Sequence, residues 1–308
     1  MRGSIGQFRV SNGYLGDPAK LDAMLQEEGY LFFAGVLDVQ AVLRTKTDFI
    51  RVLQRQGVVK PDVSEPVWTG ANIDQINDDE LYALGSYVVL MESAATRRCL
   101  ETIFGGPVRI SRSIGIRYAL PGDEKYLTPP HQDHYFIRQT RKFCMLWIPL
   151  MTIDETVGGL AIAQGANKRG LFEHQLLENV YSYGFKGRKQ KGIPFAAIEE
   201  AWLATEYHPG DLLLFHSLAV HRALPNSSDR IRLSLNTLCQ HERAPRIWQA
   251  EQTIPQLRQY RKDLQGLADE EGASEQLFEV LHIEMMKRGL PVEREEVRKL
   301  MSELSAKG

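Results

Sequence analysis

The residues best suited to chemistry begin with His131-Gln132-Asp133. On extended backbone, side chains two positions apart project to the same side, so one imidazole and one carboxylate can meet at a point. Thr128-Pro129-Pro130 precedes the trio and favours extended chain. A second imidazole from a distant strand would complete two histidines and one carboxylate on one face of a metal. The opposite face stays open, an arrangement typical of non-haem iron(II) sites that activate oxygen. A lone HxD is weak evidence, because a solvated loop histidine explains most isolated matches. The discriminating residues lie downstream.

Tyr207-His208-Pro209-Gly210-Asp211 leads into Leu212 to Phe215, and then into His216-Ser217-Leu218-Ala219-Val220-His221. Pro225-Asn226-Ser227-Ser228-Asp229 and Arg230-Ile231-Arg232-Leu233-Ser234 follow. Two imidazoles, His216 and His221, and two guanidiniums, Arg230 and Arg232, are therefore candidates. A turn between two strands would set His221 and Arg232 on neighbouring parts of one sheet. Along the second strand Arg232, Ser234 and Asn236 share a face, while Ile231, Leu233 and Leu235 share the other. If the polar face looks outward, the strand is an ordinary half-buried one. If it looks inward, guanidinium and hydroxyl can hold a carboxylate. His134 points away from His131 in a strand and suits an outer layer or a substrate pocket. His174, His208, His241 and His282 read as structural or exposed.

Elements able to position these residues can be read from pattern. Asp17-Pro18 opens a helix carrying Leu21, Met24 and Leu25 that Gly29 ends. Tyr30 to Phe33 reads as a short buried strand, and Asp38 caps a longer helix that Gly57 closes. Residues 60–77 look irregular, with helices expected over roughly 78–91 and 94–104. From Val108 to Leu120 apolar and polar residues alternate, which predicts one strand. Phe143 to Leu150, Asp211 to Phe215 and Ile231 to Cys239 predict three more. After Pro255 the chain returns to helical pattern, including a helix capped by Ser274 and another over Val292 to Leu304. The expected fold is a mainly β core, a double-stranded β-helix of the jelly-roll or cupin type, surrounded by helices. We expect one domain over 1–308, with a helical part to about 105, the core over about 106–242, and helices from about 243.

Composition excludes several classes of function. With 308 residues and 43% hydrophobic content, the chain buries a core without disulfides. A formal net charge of −2, with Lys and Arg spread along the chain, argues against nucleic acid as a partner. No apolar run approaches the ~20 residues that span a bilayer. Cys99, Cys144 and Cys239 are far apart and odd in number, which suits free thiols in a reducing compartment. A cytoplasmic monomer or homodimer acting on a small molecule is the expectation.

From about Leu21 to Leu238 the chain resembles the phytanoyl-CoA hydroxylase-like branch of the iron(II)/2-oxoglutarate dioxygenases. The likeness rests on Glu28-Gly29-Tyr30-Leu31-Phe32, the HQD motif, Trp147-Ile148-Pro149-Leu150, Gly158-Gly159-Leu160 and the turn Gln164 to Gly170. It continues through Pro209-Gly210-Asp211, His221, Pro225-Asn226-x-Ser, and an arginine eleven residues after that histidine. In the turn, Gln164, Ala166 and Asn167 replace the family's Pro, Ser and His.

The resemblance implies that His131, Asp133 and His221 ligate Fe(II), with His221 preferred to His216 by spacing. It implies that Arg232 (preferred to Arg230), helped by Ser234, pairs with the distal carboxylate of 2-oxoglutarate. Gln132 and Trp147 fall where family members line the co-substrate pocket. Dioxygen and 2-oxoglutarate would then oxidise a small organic substrate, with release of succinate and CO2. Asp133 favours hydroxylation, desaturation or ring formation over halogenation, since related halogenases lack that carboxylate. Two other readings stay open: a cupin-like metal or ligand binder without turnover, and a zinc hydrolase, for which Arg232 and Ser234 have no use.

Overall fold

A computed structural model of the chain describes residues 5–111, 114–137, 141–181 and 189–244, the side chain of Asn179 excepted. All of them belong to the unit Met1–Trp248. The helices expected after Pro255 lie outside the described residues.

Local signals place the first helices as expected. Helix α1, Pro18–Glu28, starts where the Asp17 side chain accepts the Lys20 N–H and ends at Gly29, whose φ of +84° closes the last turn. Strand β2, Tyr30–Phe33, follows at once and is buried throughout. (Strand β1, Gly6–Gln7, precedes them both.) Asp38 caps helix α2, Val39–Arg55, by accepting from the Gln40 and Ala41 amides. Its inward stripe includes Phe49 and Leu53, both fully buried, each stabilising the fold by roughly 1.5–3 kcal/mol. The helix expected over 78–91 is two pieces, α3 at Asp78–Tyr82 and α4 at Ser86–Glu92. The break falls at Ala83-Leu84-Gly85, and the glycine serves as N-cap of α4. Helix α5, Ala94–Phe104, is capped by the Ser93 hydroxyl.

The large sheet has strand order β2-β10-β5-β12-β3, with β4 also paired to β12. Its members are β3 (Val108–Ile110), β4 (Gly115–Ala119), β5 (Cys144–Pro149), β10 (Leu212–His216) and β12 (Arg232–His241). β5 is buried at all six positions because β10 and β12 cover its two edges and both its faces pack. The alternating stretch read as one strand from Val108 is β3 and β4, laid along one edge of β12 from Val108 opposite His241 to Ala119 opposite Arg232.

The second sheet, ordered β1-β9-β6-β11, uses short strands: β6 (Leu160–Ala163), β9 (Trp202–Ala204) and β11 (His221–Ala223). Among the described residues, β7 (Gln175–Tyr181) and β8 (Lys189–Gly192) form a separate two-stranded sheet. Together the two sheets form the expected jelly roll.

One expectation needs correction. His221 and Arg232 lie on different sheets, β11 on the small one and β12 on the large one. A corner built by Asn226 carries the chain between them. This buried amide donates to the carbonyls of Ala119 (3.0 Å) and Arg230 (2.7 Å), and its oxygen accepts from Ser228 N at 3.1 Å.

Candidate metal and co-substrate site

His131 and His221 face each other across an isolated antiparallel bridge. Each backbone N–H donates to the other's carbonyl at 3.0 Å. Residues paired in this way carry neighbouring side chains, and the two ring centroids are 4.1 Å apart. After His131 the backbone does not stay extended as the sequence suggested. Asp133 is the first residue of a short helix, α6, Asp133–Ile137. Its carboxylate therefore reaches the histidines by a turn of the chain. Its two oxygens lie 3.8 Å from His131 Nε2 and 3.4 Å from His221 Nε2.

Both imidazoles are oriented by their far nitrogen. His131 Nδ1 donates to Pro129 O at 2.9 Å and His221 Nδ1 to Ala219 O at 3.1 Å. A carbonyl can only accept, so the proton of the neutral ring sits on Nδ1 and Nε2, aimed at Asp133, is the nitrogen free to ligate. Burial pushes the His131 pKa well below its usual value, and neighbouring His221 and then Arg117 push the same way. Neutral imidazole is the ligating form.

The ligand atoms of the three residues lie within 4.8 Å of one another. An ion about 2.1 Å from each would hold adjacent donors about 3 Å apart, which small side-chain movements achieve. Asp133 Oδ2 is buried and accepts no hydrogen bond among the described residues. That donor set and that bare oxygen fit a divalent ion. His216 stands apart: it lies at the end of β10, its Nδ1 accepts from Leu218 N, and burial lowers its pKa.

On β12, Arg232 is buried, and its Nη1 donates to Gly158 O (2.7 Å) and Gly159 O (3.2 Å), just before β6 of the opposite sheet. The Gly-Gly pair is required by space. A Cβ on Gly158 would sit 2.0 Å from Pro225 O, at a φ of +70°. Ser234 is fully buried, and its hydroxyl has no hydrogen-bond partner among the described residues, which fits a bound carboxylate oxygen. Arg230 instead pairs with Asp154 at 2.9 Å. The Thr156 hydroxyl, aided by Arg230, holds the Asp154 carboxyl down at about 2.

Register shows what shares the Arg232 face. Ser234 is opposite Arg117 on β4, and Asn236 is opposite Trp147 on β5. Trp147 is buried with its ring 4.7 Å from that of Tyr207, whose hydroxyl donates to Leu160 O at 2.6 Å. Arg117 is exposed, and its Nε donates to Asn236 Oδ1 at 3.1 Å.

Gln132 has every polar group of its side chain engaged. Nε2 donates to Gly170 O (2.8 Å) and Leu218 O (2.7 Å), and Oε1 accepts from Phe172 N (2.8 Å). Sequence reasoning passed over the outer partners. His174 is buried, accepts the Gln132 backbone N–H at 3.1 Å, and stacks on Tyr135 at 3.9 Å. Phe136, half exposed, packs edge-on against His131. Only the adjacency of Tyr135 and Phe136 to the HQD motif hinted at this.

Fold and site together define a class, the non-haem iron oxygenases built on a jelly roll. The chain belongs to the phytanoyl-CoA dioxygenase family: the model of that family, Phytanoyl-CoA dioxygenase (PhyH), matches residues 25–234. Fe(II), 2-oxoglutarate and dioxygen are the cofactors of this family. A 1-deoxypentalenic acid 11-beta-hydroxylase of Streptomyces arenae is 34% identical over 233 residues, covering 73% of this chain and 82% of the relative. The enzyme of that name from Streptomyces exfoliatus is 30% identical over 235 residues, with 73% and 82% covered. Among solved structures, the non-heme monooxygenase ThoJ in its apo form superposes with a TM-score of 0.51 at 13% identity. It covers 72% of this chain and 78% of ThoJ, and the likeness concerns the fold alone. No helix among the described residues is long and apolar enough to cross a membrane.

Proposed function

We propose that the protein is an Fe(II)- and 2-oxoglutarate-dependent oxygenase that hydroxylates a small organic acid, releasing succinate and CO2. The observation that carries this is the convergence of two Nε2 atoms, each on a ring whose Nδ1 is tied to a carbonyl, on one carboxylate, with a buried guanidinium on the facing sheet.

In this reading His131, Asp133 and His221 hold the iron. Arg232, steadied by the Gly158 and Gly159 carbonyls, and the Ser234 hydroxyl take the distal carboxylate of 2-oxoglutarate. Bound iron supplies the activation of dioxygen against the oxo acid and the oxidation of a substrate C–H bond. Trp147, on the Arg232 face, forms an apolar wall of the co-substrate pocket. Gln132 acts as a brace, because its amide is already committed to three protein partners. Asp133 is the carboxylate that related halogenases lack, which argues against halogenation, and hydroxylation is the reaction for which both Streptomyces relatives are named.

Arg117 supports an acidic substrate. Its guanidinium is exposed on the inner face, makes no ion pair among the described residues, and is felt electrostatically at His131. Both Streptomyces relatives are named for hydroxylation of an acid. Phe136 offers an apolar surface beside His131 for the rest of such a molecule. The three thiols, free in the structure, suit a reducing cytoplasm.

The test is to supply Fe(II), 2-oxoglutarate and oxygen with a panel of small carboxylic acids and to measure succinate. The reading predicts succinate that needs all three components and matches hydroxylated product for one class of acid. Activity that persists with zinc in the absence of oxygen, or no consumption of 2-oxoglutarate under any condition, would contradict it.

A further inference from the structure

The two histidine ligands and the aspartate are held in different ways. Each imidazole has a hydrogen bond that orients its ring. The buried Asp133 Oδ2 accepts no hydrogen bond among the described residues, and the carboxylate faces the two Nε2 atoms at 3.8 and 3.4 Å. Its aim must therefore come from the backbone that carries it. That backbone is gripped on both sides of Asp133 by one side chain. His174 Nε2 accepts the Gln132 N–H, in the His131–Gln132 peptide one residue before Asp133, and the His174 ring stacks almost flat on Tyr135, two residues after it. An amide N–H can only donate, so Nε2 must be bare. Nδ1, 3.1 Å from Phe172 O, carries the ring proton.

We propose that His174 is a positioning residue of the metal site, holding the Gln132-Asp133 backbone so that the carboxylate meets the ion. The proposal rests on the metal-binding part of the reading above. Without the acceptor, the buried Gln132 N–H loses its partner and the segment shifts to find another. Asp133 Oδ2 has no hydrogen bond among the described residues to keep it in place.

Three variants of the full chain separate the acceptor from mere packing. His174→Phe keeps a ring on Tyr135 and removes the acceptor. His174→Gln puts a carboxamide oxygen where Nε2 was. His174→Asn falls short of it by one carbon, about 1.5 Å. Fe(II) affinity is measured without oxygen by competition with a chromogenic chelator, alongside the visible spectrum of the Co(II) form and melting of the metal-free protein. We expect affinity to fall about 10–100-fold in the Phe and Asn variants, with an altered Co(II) spectrum, and to stay within about threefold of wild type in His174→Gln.

If His174→Phe does not fold, the Gln and Asn pair carries the same comparison. Wild-type affinity and spectrum in the Phe or Asn variant overturn the proposal, as does an equal loss in all three. A wild-type protein that binds Fe(II) but never consumes 2-oxoglutarate would sink the oxygenase reading and leave this comparison valid. One that binds no Fe(II) would sink both.

Discussion

Each imidazole of the proposed metal triad has its Nδ1 tied to a carbonyl two residues earlier, so its tautomer is fixed before any metal arrives. Arg232 is prepared in a similar way, with one edge of its guanidinium tied to two carbonyls. A lysine in its place keeps the charge and loses the planar fork. Arg232→Lys should raise the KM for 2-oxoglutarate about 10–100-fold, the equivalent of roughly 1.5–3 kcal/mol for a charged hydrogen bond, and change kcat little. Steady-state kinetics with the oxo acid varied would check this; an unchanged KM would remove Arg232 from the co-substrate site. The buried histidines also set an acid limit. Burial lowers the pKa of His131 and of His216 in the folded chain. Below the unfolded value of about 6.5, the unfolded chain binds protons that the native one refuses, so stability falls with pH. The melting temperature of the metal-free protein should decrease as pH drops from about 7.5 to about 5, and a flat profile would contradict the burial of neutral imidazoles.

The elements differ in how well pattern announces them. α1 and α2 are legible because cap, apolar stripe and terminating glycine agree, and β5 because a central strand buried on both faces needs a continuous apolar run. The strands of the small sheet are two to four residues long, too short to show a period. β11 was missed for that reason although it carries His221. The sheet exchange between His221 and Arg232 was equally hidden, since a hairpin and a corner use the same Pro-Asn-Ser residues. What separates them is Asn226, whose amide binds Ala119 and Arg230 rather than solvent. Asn226→Ala should therefore cost about 1–3 kcal/mol in denaturant unfolding and weaken 2-oxoglutarate binding, because β12 starts six residues later. A neutral substitution would show that the corner is held by other contacts. In the site itself, the triad proposed to hold the metal, and Arg232, were singled out through the family resemblance, and the fold brings the three triad side chains together. The turn into α6 at Asp133 was not legible, because an HxD trio reads equally well as strand. His174 was not either, because its role depends on a backbone amide.

For the whole chain, a site assembled from β11, β12, the HQD segment and the loop before β6 exists only in the folded state. A metal bound there stabilises the fold by mass action, about 2.7 kcal/mol at a hundred times the dissociation constant. Mn(II), which does not start turnover, should raise the melting temperature of the wild type and leave that of Asp133→Asn nearly unchanged; equal shifts in both would place the metal elsewhere. The most direct test of the account is an anomalous-scattering map from crystals grown without oxygen in Fe(II) and 2-oxoglutarate. It should show one iron about 2.1 Å from His131 Nε2, His221 Nε2 and an Asp133 oxygen, with the oxo acid's far carboxylate on Arg232 and Ser234. Iron found away from those three side chains, or a co-substrate that makes no contact with Arg232, would contradict it.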